Sequence, residues 1–366
     1  MTASYDFAII PGDGVGSEIS DAAGGVLSAA ATRFGFEANS EKYDWGCDRL
    51  LESGAMMPAD ALETLRDFDA IFLGSIGDSS KVPDDVSLEM LLAIRTGFDQ
   101  YVNLRPIKLY PGVPTPVTTA SPDTVDMVVI RENTEGEYAR MGGIFKRGTP
   151  DAVALQTGVF TYKGCERVIR YAFDLARDRG KLGGGDTVGR VTNCTKSNAL
   201  NYSMVFWDEV YNDVSGGYPD IATDSALVDA ITMWLIKNPE WFDVVVASNL
   251  FGDIITDLGA MLQGGMGFAA GGNINPERTY PSMFEPIHGS APKYTGMQRV
   301  NPIASIEAVR MMLDHVGEAD AAAAVERAVA AILAAGEHRT ADIGGTARTD
   351  EVAEAVAAQV LNQPDL

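Results

Sequence analysis

The stretch F-A-I-I-P-G-D-G-V-G-S-E-I-S-D-A-A-G-G-V-L-S-A-A, residues 7–30, contains the pattern that decides the fold. Four apolar residues, typical of a strand, lead through a glycine-rich turn into a segment with helical spacing. This order recurs along the chain, which predicts βαβ units on a parallel sheet and therefore an α/β fold. Further strands are predicted at 70–74, 127–130, 189–193 and 242–247, and helices at about 164–178, 197–213 and 225–236.

The composition restricts the classes of partner. The 366 residues include 28 Lys and Arg against 51 Asp and Glu, a formal charge of −23, which argues against nucleic acid or an anionic membrane as the ligand. A chain of this length predicts two domains. Three scattered cysteines indicate neither a disulfide framework nor a cysteine zinc site, and the N-terminal residues lack a secretion pattern, so a cytoplasmic protein is expected.

Two loops rich in small residues are candidates for ligand contact. In P-G-D-G-V-G-S-E at 11–18 the glycines give G-x-G-x-G, which is not the Rossmann spacing, and Asp13 would place a negative charge where a pyrophosphate binds. A tight strand-to-helix turn and a ligand-lining loop are about equally good interpretations. The loop M-F-E-P-I-H-G-S-A-P-K-Y at 283–294 would let a flat ligand approach the backbone closely.

Arginines end two β-like runs, Arg105 in V-N-L-R-P and Arg131 in V-V-I-R-E-N-T-E-G-E-Y, and Arg95 precedes the first of them by ten residues. The planar guanidinium binds carboxylates in a bidentate way, so the three could hold a dicarboxylate together. Singly, each is more often part of a surface or structural ion pair. Their position at strand ends, where α/β folds place ligands, favours the joint interpretation.

Lys196, in T-N-C-T-K-S-N at 192–198, and Tyr138 are candidate proton-transfer groups. Lys196 follows a strand and would lie at a helix start, where the macrodipole disfavours a cation. Desolvation and nearby positive charge would lower the pKa of such a lysine toward neutrality, as general acid–base catalysis requires. Either residue alone is weak evidence, because exposed lysines and half-buried tyrosines are common.

Three aspartates are candidate metal ligands. S-N-L-F-G-D-I-I-T-D-L-G-A at 248–260 places Asp253 and Asp257 four residues apart, so on a helix they would share a face and repel. Asp229 also interrupts an apolar helical pattern. With a chelating substrate and water, three carboxylates could hold octahedral Mg²⁺ or Mn²⁺, and the presence of only three histidines favours oxygen ligands. The alternative is that these aspartates are N-terminal charges of helices.

Seven motifs, taken in order, resemble those of the β-decarboxylating dehydrogenases, the family of isopropylmalate, isocitrate, homoisocitrate, tartrate and D-malate dehydrogenases. They are P-G-D-G-V-G-S-E, D-Q-Y-V-N-L-R-P, R-E-N-T-E-G-E-Y, T-K-S-N, S-N-L-F-G-D-I-I-T-D-L, F-E-P-I-H-G-S-A-P and N-P-I-A. Each motif is short, but together they run over roughly the whole chain. The resemblance implies an enzyme that oxidises a 2-hydroxy acid at C2 by hydride transfer to NAD(P)⁺, releases the β-carboxylate as CO₂ and protonates the enol.

The resemblance also implies roles for the residues described above. Mg²⁺ or Mn²⁺ would polarise the C2 oxygen, held by Asp253, Asp257 and Asp229, the last contributed by the partner subunit of a homodimer. Lys196 would be the base in hydroxyl oxidation and Tyr138 the acid that protonates the enol, with Asp229 beside them in the catalytic group. The three arginines would bind the carboxylates of the substrate.

The implied fold is an α/β, two-domain isopropylmalate dehydrogenase-like fold with a non-Rossmann cofactor site and an active cleft between the domains. The large cofactor-binding domain would be discontinuous, 1–100 plus 264–366. Residues 101–263 would form the second domain, with the substrate and metal residues and the dimer interface. The implied cofactor-binding residues are Val15, Asn198, Glu285, His288, Gly289, Ser290, Ala291, Lys293, Tyr294, Val300 and Asn301.

One departure bears on cofactor choice. Lys293 and Tyr294 follow H-G-S-A-P, where NAD-using members usually carry Asp, and with Val300 they are similar to NADP-dependent isocitrate dehydrogenases. A lysine would attract a 2′-phosphate. The segment T-A-D-I-G-G at 340–345 lacks the tyrosine and arginine of those enzymes, so the pattern favours NADP⁺ only slightly over NAD⁺.

The helix S-L-E-M-L-L-A-I-R at 87–95 should set substrate choice. Leu88, Leu91 and Leu92 share a face with Arg95 and offer no partner for a third carboxylate, which weighs against isocitrate and homoisocitrate. The leucines suit an isopropyl group, but the glutamate of isopropylmalate enzymes is absent at position 88. K-V-P-D-D-V-S-L, F-D-Q-Y-V-N-L-R-P and L-Y-P-G-V-P-T-P are most similar to tartrate and D-malate dehydrogenases.

The tartrate and D-malate subgroup is therefore predicted. A 3-isopropylmalate dehydrogenase is the second alternative, and a dehydrogenase for another 3-substituted malate in specialised metabolism is the third. A non-enzymatic regulatory subunit would show gaps among the catalytic residues, and the sequence shows none at Tyr138, Lys196 or the three aspartates.

Overall fold

The computed structural model describes residues 2–181 and 187–364, in which strands and helices alternate along most of the chain. The strands are β1 (Ser4–Gly12), β2 (Glu37–Lys42), β3 (Ala70–Ser75), β4 (Val102–Lys108), β5 (Asp126–Glu132), β6 (Gly136–Phe145), β7 (Val153–Val159), β8 (Gly189–Thr195), β9 (Ile221–Leu227), β10 (Val244–Ala247), β11 (Ala270–Ile274) and β12 (Ser282–Pro286). The helices are α1 (Gly16–Phe34), α2 (Cys47–Ser53), α3 (Ala61–Leu65), α4 (Asp84–Gly97), α5 (Tyr162–Arg179), α6 (Ser203–Ser215), α7 (Val228–Lys237), α8 (Asn249–Leu262), α9 (Ile303–Val316), α10 (Ala319–Ala335) and α11 (Thr349–Asn362). Among the described residues, every helix is too short or too polar to span a membrane.

The first of two compact units contains Met1–Gln100, Lys108–Pro122 and Ala260–Leu366. Its strands lie in the order β2-β1-β3-β12-β11, and β1 is parallel to β2 and β3. Strand β12 is parallel to β3, whereas β11 is antiparallel to β12. Helices α1, α9, α10 and α11 pack on one another. Phe72 and Phe284 belong to the buried core, and Ile10 packs in a buried cluster with Met90 and Ile94 of α4. Because β1, β3 and β12 run the same way, the loops that follow them leave the sheet at one edge.

The second unit contains Tyr101–Ile107 and Asp123–Gly259. Its strands lie in the order β4-β5-β10-β8-β9, and β5, β10, β8 and β9 are parallel. Strands β6 and β7 form a separate antiparallel hairpin. Helix α5 packs against β5, β8 and β10. The residues that follow the four parallel strands therefore lie at the same edge of this sheet, where α/β proteins place ligands.

The predicted strands are confirmed, and two helix boundaries were predicted wrongly. All four residues of β10 are completely buried, as expected for a parallel strand covered on both faces. The helix predicted from 225 begins at Val228, because 221–227 pair in register with β8 as strand β9. The helix predicted from 197 begins only at Ser203. Lys196 instead lies at the start of a turn, in which its carbonyl accepts the Leu200 N–H. The helix-macrodipole argument for Lys196 is therefore wrong.

The two compact units differ from the predicted domains, 1–100 plus 264–366 and 101–263, at residues 108–122 and 260–263. Hydrogen bonds tie the first of these segments to the first unit: Thr115 Oγ1 donates to the Met261 carbonyl at 3.2 Å, and Arg339 Nη2 donates to the Gly112 carbonyl at 2.6 Å. The proline-rich segment therefore belongs to the first unit. The functions assigned to the two domains stay predictions.

His315, near the end of α9, predicts a pH dependence of stability. Burial, assisted by the charge of Arg278, lowers the pKa of His315 from 6.5 to about 4, and its ring lies 5.4 Å from that of Phe284. In the unfolded chain His315 takes up a proton below about pH 6.5, whereas in the folded chain its imidazole stays neutral until near pH 4. The free energy of unfolding should therefore fall between these pH values by on the order of 3 kcal/mol.

Urea unfolding at pH 7.5, 6 and 5 measures this effect. H315Q should lose less stability than the wild type as the pH falls, since the substituted side chain does not titrate. H338Q, the same change at another histidine, should keep the wild-type dependence. Equal pH dependence in H315Q and the wild type would contradict the prediction.

Candidate active site

Arg131, Tyr138 and Asp253 form a hydrogen-bonded cluster in the second unit. Arg131 lies at the end of β5, and Asp253 lies in α8, which follows the neighbouring strand β10. Arg131 Nη1 donates to Asp253 Oδ1 at 2.5 Å, and Tyr138 Oη donates to Asp253 Oδ2 at 2.8 Å. The Arg131 guanidinium carbon lies 5.3 Å from the centre of the Tyr138 ring. One carboxylate thus accepts hydrogen bonds from a cation and a phenol.

Arg105 on β4 adds a second cation to this cluster. Its Nη2 lies 3.3 Å from Asp253 Oδ1, while Nη1 donates to Thr256 Oγ1 at 2.5 Å and Nε donates to Asn103 Oδ1 at 2.6 Å. The Arg105 and Arg131 side chains are 6% and 2% exposed, and that of Asp253 is 38% exposed. Two buried guanidinium groups therefore face one partly accessible carboxylate.

Asn249 is a site residue that the sequence reasoning missed. Its Oδ1 accepts from both Nε and Nη2 of Arg131, at 3.1 and 2.8 Å, and its Nδ2 donates to the Glu135 carbonyl at 3.1 Å. The available signal was a polar residue at the start of α8, immediately before the apolar run that carries Asp253. Asn249 thus binds the Nε and Nη2 atoms of Arg131, whereas Asp253 binds Nη1.

The charges in the cluster shift the pKa values of two groups. Desolvation and then the charge of Asp253 raise the pKa of Tyr138, against the opposing effect of the two arginines. Desolvation and the charge of Asp253 also raise the pKa of Asp257, again opposed by Arg105 and Arg131. The two carboxylates repel as predicted. Neither lies in the first turn of α8, so the alternative of helix N-terminal charges does not describe them.

Lys196 and Asp229 form a separate pair in the second unit. Lys196 Nζ lies 2.6 Å from Asp229 Oδ1, and the side chains are 27% and 63% exposed. This hydrogen bond is the main cause that lowers the pKa of Asp229, which lies in the first turn of α7. Among residues 2–181 and 187–364, no three acidic, histidine or cysteine side chains come together as a metal site. One chain therefore does not assemble the three aspartates, and a contribution from a partner stays a prediction.

A cavity of about 530 Å³ lies in the first unit. Gly14, with φ of +60°, allows a close approach there: a Cβ would lie 2.1 Å from the Ser290 carbonyl oxygen, which accepts the Val15 N–H at 2.8 Å. The glycine turn therefore contributes to a cavity wall, as the ligand-loop interpretation requires. The predicted residues that line it are Val15, His288, Gly289, Ala291, Tyr294, Val300 and Asn301.

Arg299 and Asp342 also line this cavity, and the sequence reasoning did not select them. Asp342 accepts from Asn301 Nδ2 at 3.1 Å and from Thr340 Oγ1 at 2.5 Å. Lys293 Nζ and the Arg299 guanidinium carbon lie 4.8 and 5.7 Å from the centre of the Tyr294 ring. The sequence signal for Arg299 was its position next to Val300, a residue already selected.

Three other predicted cofactor residues, Ser290, Lys293 and Asn198, do not line this cavity. Ser290 is buried and its hydroxyl donates to the Gly77 carbonyl. Lys293 is exposed beside Tyr294, and Asn198 is exposed in the second unit. The His288 ring contacts the Gly289 carbonyl through Nδ1 at 3.0 Å, while its buried Nε2 has no hydrogen-bond partner in the described part of the chain.

A second cavity, of about 400 Å³, shares His288 and Gly289 with the first, and Leu88, Leu91 and Glu285 also line it. Leu92 is half-buried and is not among the lining side chains. Arg95, at the end of α4, is buried and paired with Glu285 at 3.0 Å. The predicted substrate arginines thus divide between the units, with Arg95 in the first unit and Arg105 and Arg131 in the second.

Comparison with known proteins places this site in a family. Residues 6–356 match the model described as isocitrate/isopropylmalate dehydrogenase. The chain is 45% identical over 356 residues to a 3-isopropylmalate dehydrogenase of Thermobifida fusca, covering 97% of this chain and 98% of that one. It is 45% identical over 368 residues to the decarboxylating D-malate dehydrogenase of Escherichia coli, covering 99% and 100%. It is 46% identical over 354 residues to a probable tartrate dehydrogenase/decarboxylase of Agrobacterium vitis, covering 96% of each.

A solved structure gives the same result for the fold. The isocitrate dehydrogenase of Methylococcus capsulatus matches with a TM-score of 0.87 at 34% identity, covering 98% of this chain and 100% of that one. The predicted α/β isopropylmalate dehydrogenase-like fold and the predicted class of decarboxylating oxidoreductase are confirmed, whereas the cofactor site and the active cleft stay predictions. The agreement in sequence and in fold over nearly the full length makes this chain a member of the isocitrate/isopropylmalate dehydrogenase family.

Proposed function

We propose that this protein oxidises a malate-type 2-hydroxy acid, D-malate or tartrate, by hydride transfer to NADP⁺ or NAD⁺ with loss of the β-carboxylate as CO₂. The observation that carries the proposal is the environment of Asp253, which meets Arg105, Arg131 and the Tyr138 hydroxyl, with Asp257 one helical turn away. This cluster offers cations for carboxylates, oxygen ligands for a metal and a proton donor. The D-malate and tartrate dehydrogenases among the relatives support the choice of substrate.

The arginines are held in place before a ligand binds. Asn249 fixes Arg131, while Asn103 and Thr256 fix Arg105. Fixed guanidinium groups bind a carboxylate at a lower cost in side-chain entropy than mobile ones do. In the first unit, Arg95 Nε is buried without a hydrogen-bond partner among the described residues. A substrate carboxylate would satisfy that donor, whose isolation is otherwise costly.

Asp253 and Asp257 would hold Mg²⁺ or Mn²⁺, together with Asp229 of a second copy of the chain. The donor set fits, because hard divalent cations prefer carboxylate oxygens, and a divalent charge would compensate two carboxylates on one helix face. When bound, the cation supplies Lewis-acid polarisation of the substrate's C2 oxygen.

Proton transfer would be divided between two residues. Lys196, held by Asp229 at 2.6 Å, would accept the proton of the C2 hydroxyl when its side chain is in the neutral amine form, as the hydride passes from C2 to the nicotinamide. The Tyr138 hydroxyl donates a hydrogen bond to Asp253 Oδ2. It therefore lies beside a proposed ligand of the metal that would polarise the C2 oxygen. From that position it would protonate the enol carbon after CO₂ has left.

A homodimer would complete the site, because one chain keeps the Lys196–Asp229 pair apart from a three-aspartate set. The β6–β7 hairpin exposes four apolar side chains to more than half of their surface: Met141, Phe145, Val153 and Leu155. Exposed apolar strands mark protein interfaces. We assign a second copy of this chain as the occupant of the hairpin surface.

L155E tests the dimer. A buried, unpaired carboxylate would disfavour association, so we expect a monomer by light scattering, native-like circular dichroism, and turnover at least about tenfold lower. L51E, which changes a leucine that is 62% exposed in the first unit, should stay dimeric and active. A fully active dimer of L155E would overturn the assignment of the hairpin.

One observation favours 3-isopropylmalate as an alternative substrate. Leu88 and Leu91 line the second cavity and would contact an isopropyl group. The 3-isopropylmalate dehydrogenase of Thermobifida fusca is as similar to this chain as the D-malate enzyme is. The malate and tartrate motifs outside α4 decide our preference, and another 3-substituted malate is the third candidate.

Reduced-cofactor absorbance tests the proposed reaction. With Mn²⁺, we expect turnover of D-malate or L-tartrate in a panel that also contains 3-isopropylmalate, each with NAD⁺ and NADP⁺. D253N should lower kcat by about 10³-fold, because metal activation contributes several kcal/mol. D174N is a matched control in the same unit: Asp174 also accepts a tyrosine hydroxyl, that of Tyr218, at 2.8 Å, and its loss should leave kcat unchanged.

The outcomes of this panel are distinct. If none of the three acids is turned over with either cofactor, the proposed reaction is overturned. Turnover of 3-isopropylmalate alone would select the alternative. Normal kcat in D253N would mean that the metal binds elsewhere.

For the cofactor we propose a preference for NADP⁺. Lys293 and Arg299 lie on the Tyr294 ring beside the 530 Å³ cavity, so two cations could attract the 2′-phosphate, and Arg299 compensates for the arginine absent from 340–345. The buried Nε2 of His288 provides a polar atom that a bound cofactor could satisfy. Asp342 is already engaged by Asn301 and Thr340, which reduces its repulsion of a phosphate.

K293D and R299A test this preference by fluorescence titration with NADPH and NADH. Each variant should weaken NADPH binding by about 10-fold or more, since a hydrogen bond to a charged group contributes about 1.5–3 kcal/mol, and should change NADH binding little. R66A removes another exposed guanidinium that lies over a tyrosine ring, 5.2 Å from Tyr280, and should change neither affinity. Tighter binding of NADH than NADPH by the wild type would overturn the proposal.

A further inference from the structure

The ion pair between Arg95 and Glu285 joins residues that the proposed function assigns to different ligands. Arg95 Nη2 lies 3.0 Å from Glu285 Oε1, and the side chains are only 6% and 10% exposed. Arg95 is assigned to the substrate and Glu285 to the cofactor, yet within the first unit they neutralise each other. In a buried ion pair, where the surroundings screen charge poorly, a change in the negative charge on the carboxylate changes the electrostatic attraction of the guanidinium for other anions strongly.

Asn273 fixes which oxygen of Glu285 the arginine uses. Asn273 is fully buried on β11 and donates from Nδ2 to the same Oε1 at 2.7 Å. The antiparallel pairing of β11 with β12 places Asn273 opposite Met283, two residues before Glu285. Oε1 therefore has two donors. Oε2 accepts no hydrogen bond from the described residues, and the Glu285 side chain lines the 400 Å³ cavity.

We propose that Glu285 couples cofactor binding to dicarboxylate binding through Arg95, an inference that rests on the proposed function. Without cofactor, Glu285 offsets the Arg95 charge, and a substrate carboxylate must compete for the guanidinium. A ribose hydroxyl hydrogen-bonded to Oε2 draws negative charge away from Oε1, as expected for an acidic residue that binds a ribose. Arg95 then attracts the dicarboxylate more strongly, and its buried Nε gains a partner.

The coupling is reciprocal, because an effector that tightens one ligand is itself tightened by that ligand to the same extent. Asn273 is the positioning residue in this scheme: by holding Oε1 it keeps the two oxygens of Glu285 assigned to different tasks. Leu88 and Leu91 line the same cavity and lack charge, so they do not compete for the guanidinium.

Fluorescence titration of the wild-type protein with reduced cofactor measures the coupling. NADPH or NADH, whichever binds more tightly, is titrated with Mg²⁺ in the absence and presence of saturating D-malate or tartrate. The reduced cofactor prevents turnover. We expect the dicarboxylate to tighten cofactor binding by about 10-fold, within the range of ordinary allosteric coupling.

Two variants test the residues. E285Q keeps the size of the side chain and removes its charge, so the tightening should fall below about twofold while the cofactor-free protein binds the dicarboxylate at least as tightly as the wild type. N273L keeps the branched shape and the number of side-chain heavy atoms and removes the donor to Oε1, so the factor by which the dicarboxylate tightens cofactor binding should be at least about threefold smaller than in the wild type, while the charge of Glu285 is retained.

E307Q is the matched control. Glu307 is 7% exposed in the first unit, lies 2.5 Å from Arg310 and accepts the Tyr110 hydroxyl at 2.7 Å, but it lines neither cavity. E307Q should lower the melting temperature and keep the wild-type coupling. A wild type that binds both ligands without coupling, or an E285Q variant that keeps the coupling, would overturn this inference and leave the proposed reaction intact. A wild type that binds neither ligand would overturn both.

Discussion

A guanidinium group that is almost completely withdrawn from water needs a fixed anion, and the Arg131–Asp253 pair meets that need in the second unit. Arg131 is 2% exposed, so leaving its charge unpaired would cost several kcal/mol. Helix α8 supplies both compensating groups, Asn249 at its start and Asp253 one turn later. Position 252, between them, requires glycine, because a Cβ there would lie only 2.6 Å from Arg131 Cβ. These contacts with one buried charge therefore help to position α8, and with it Asp257.

The charges of this cluster also explain how it could accept its ligands. Two guanidinium groups, on Arg105 and Arg131, face two carboxylates, on Asp253 and Asp257, so the ionised site is neutral. A dicarboxylate and a divalent cation together add no net charge, and the site would be neutral again after both have bound. Binding of only one of the two would leave an uncompensated charge in a partly buried place, which is costly. Under the proposed function, metal and substrate are therefore expected to favour each other.

The sequence was informative where local pattern and local chemistry agree. The order of strands and helices, the buried strand at 244–247 and the shared helix face of Asp253 and Asp257 follow from periodicity. The start of α6 could not be read in the same way, because the residues after Lys196 have helical composition but form a turn. Composition indicates preference, whereas strand pairing and the path of the chain decide where a helix begins.

The side-chain partners of the site were the least predictable part. Arg95, Arg105 and Arg131 look alike in sequence, each near a strand end or a helix end, but their partners differ: Glu285 for the first and Asp253 for the other two. These pairs join residues 190, 148 and 122 positions apart, so no local pattern contains them. Only the fold brings them together.

The acidic surface and the cationic site act over different distances. A net charge of −23 repels an anionic substrate from afar, but salt screens surface charges beyond about 8 Å at physiological ionic strength. Buried guanidinium groups are screened much less, so within the site the attraction of Arg105 and Arg131 exceeds the repulsion of the surface. A strongly acidic protein can thus bind a dianion, provided that its cations are few, buried and positioned by neutral groups such as Asn249 and Asn103, and that a divalent cation offsets the carboxylates of Asp253 and Asp257.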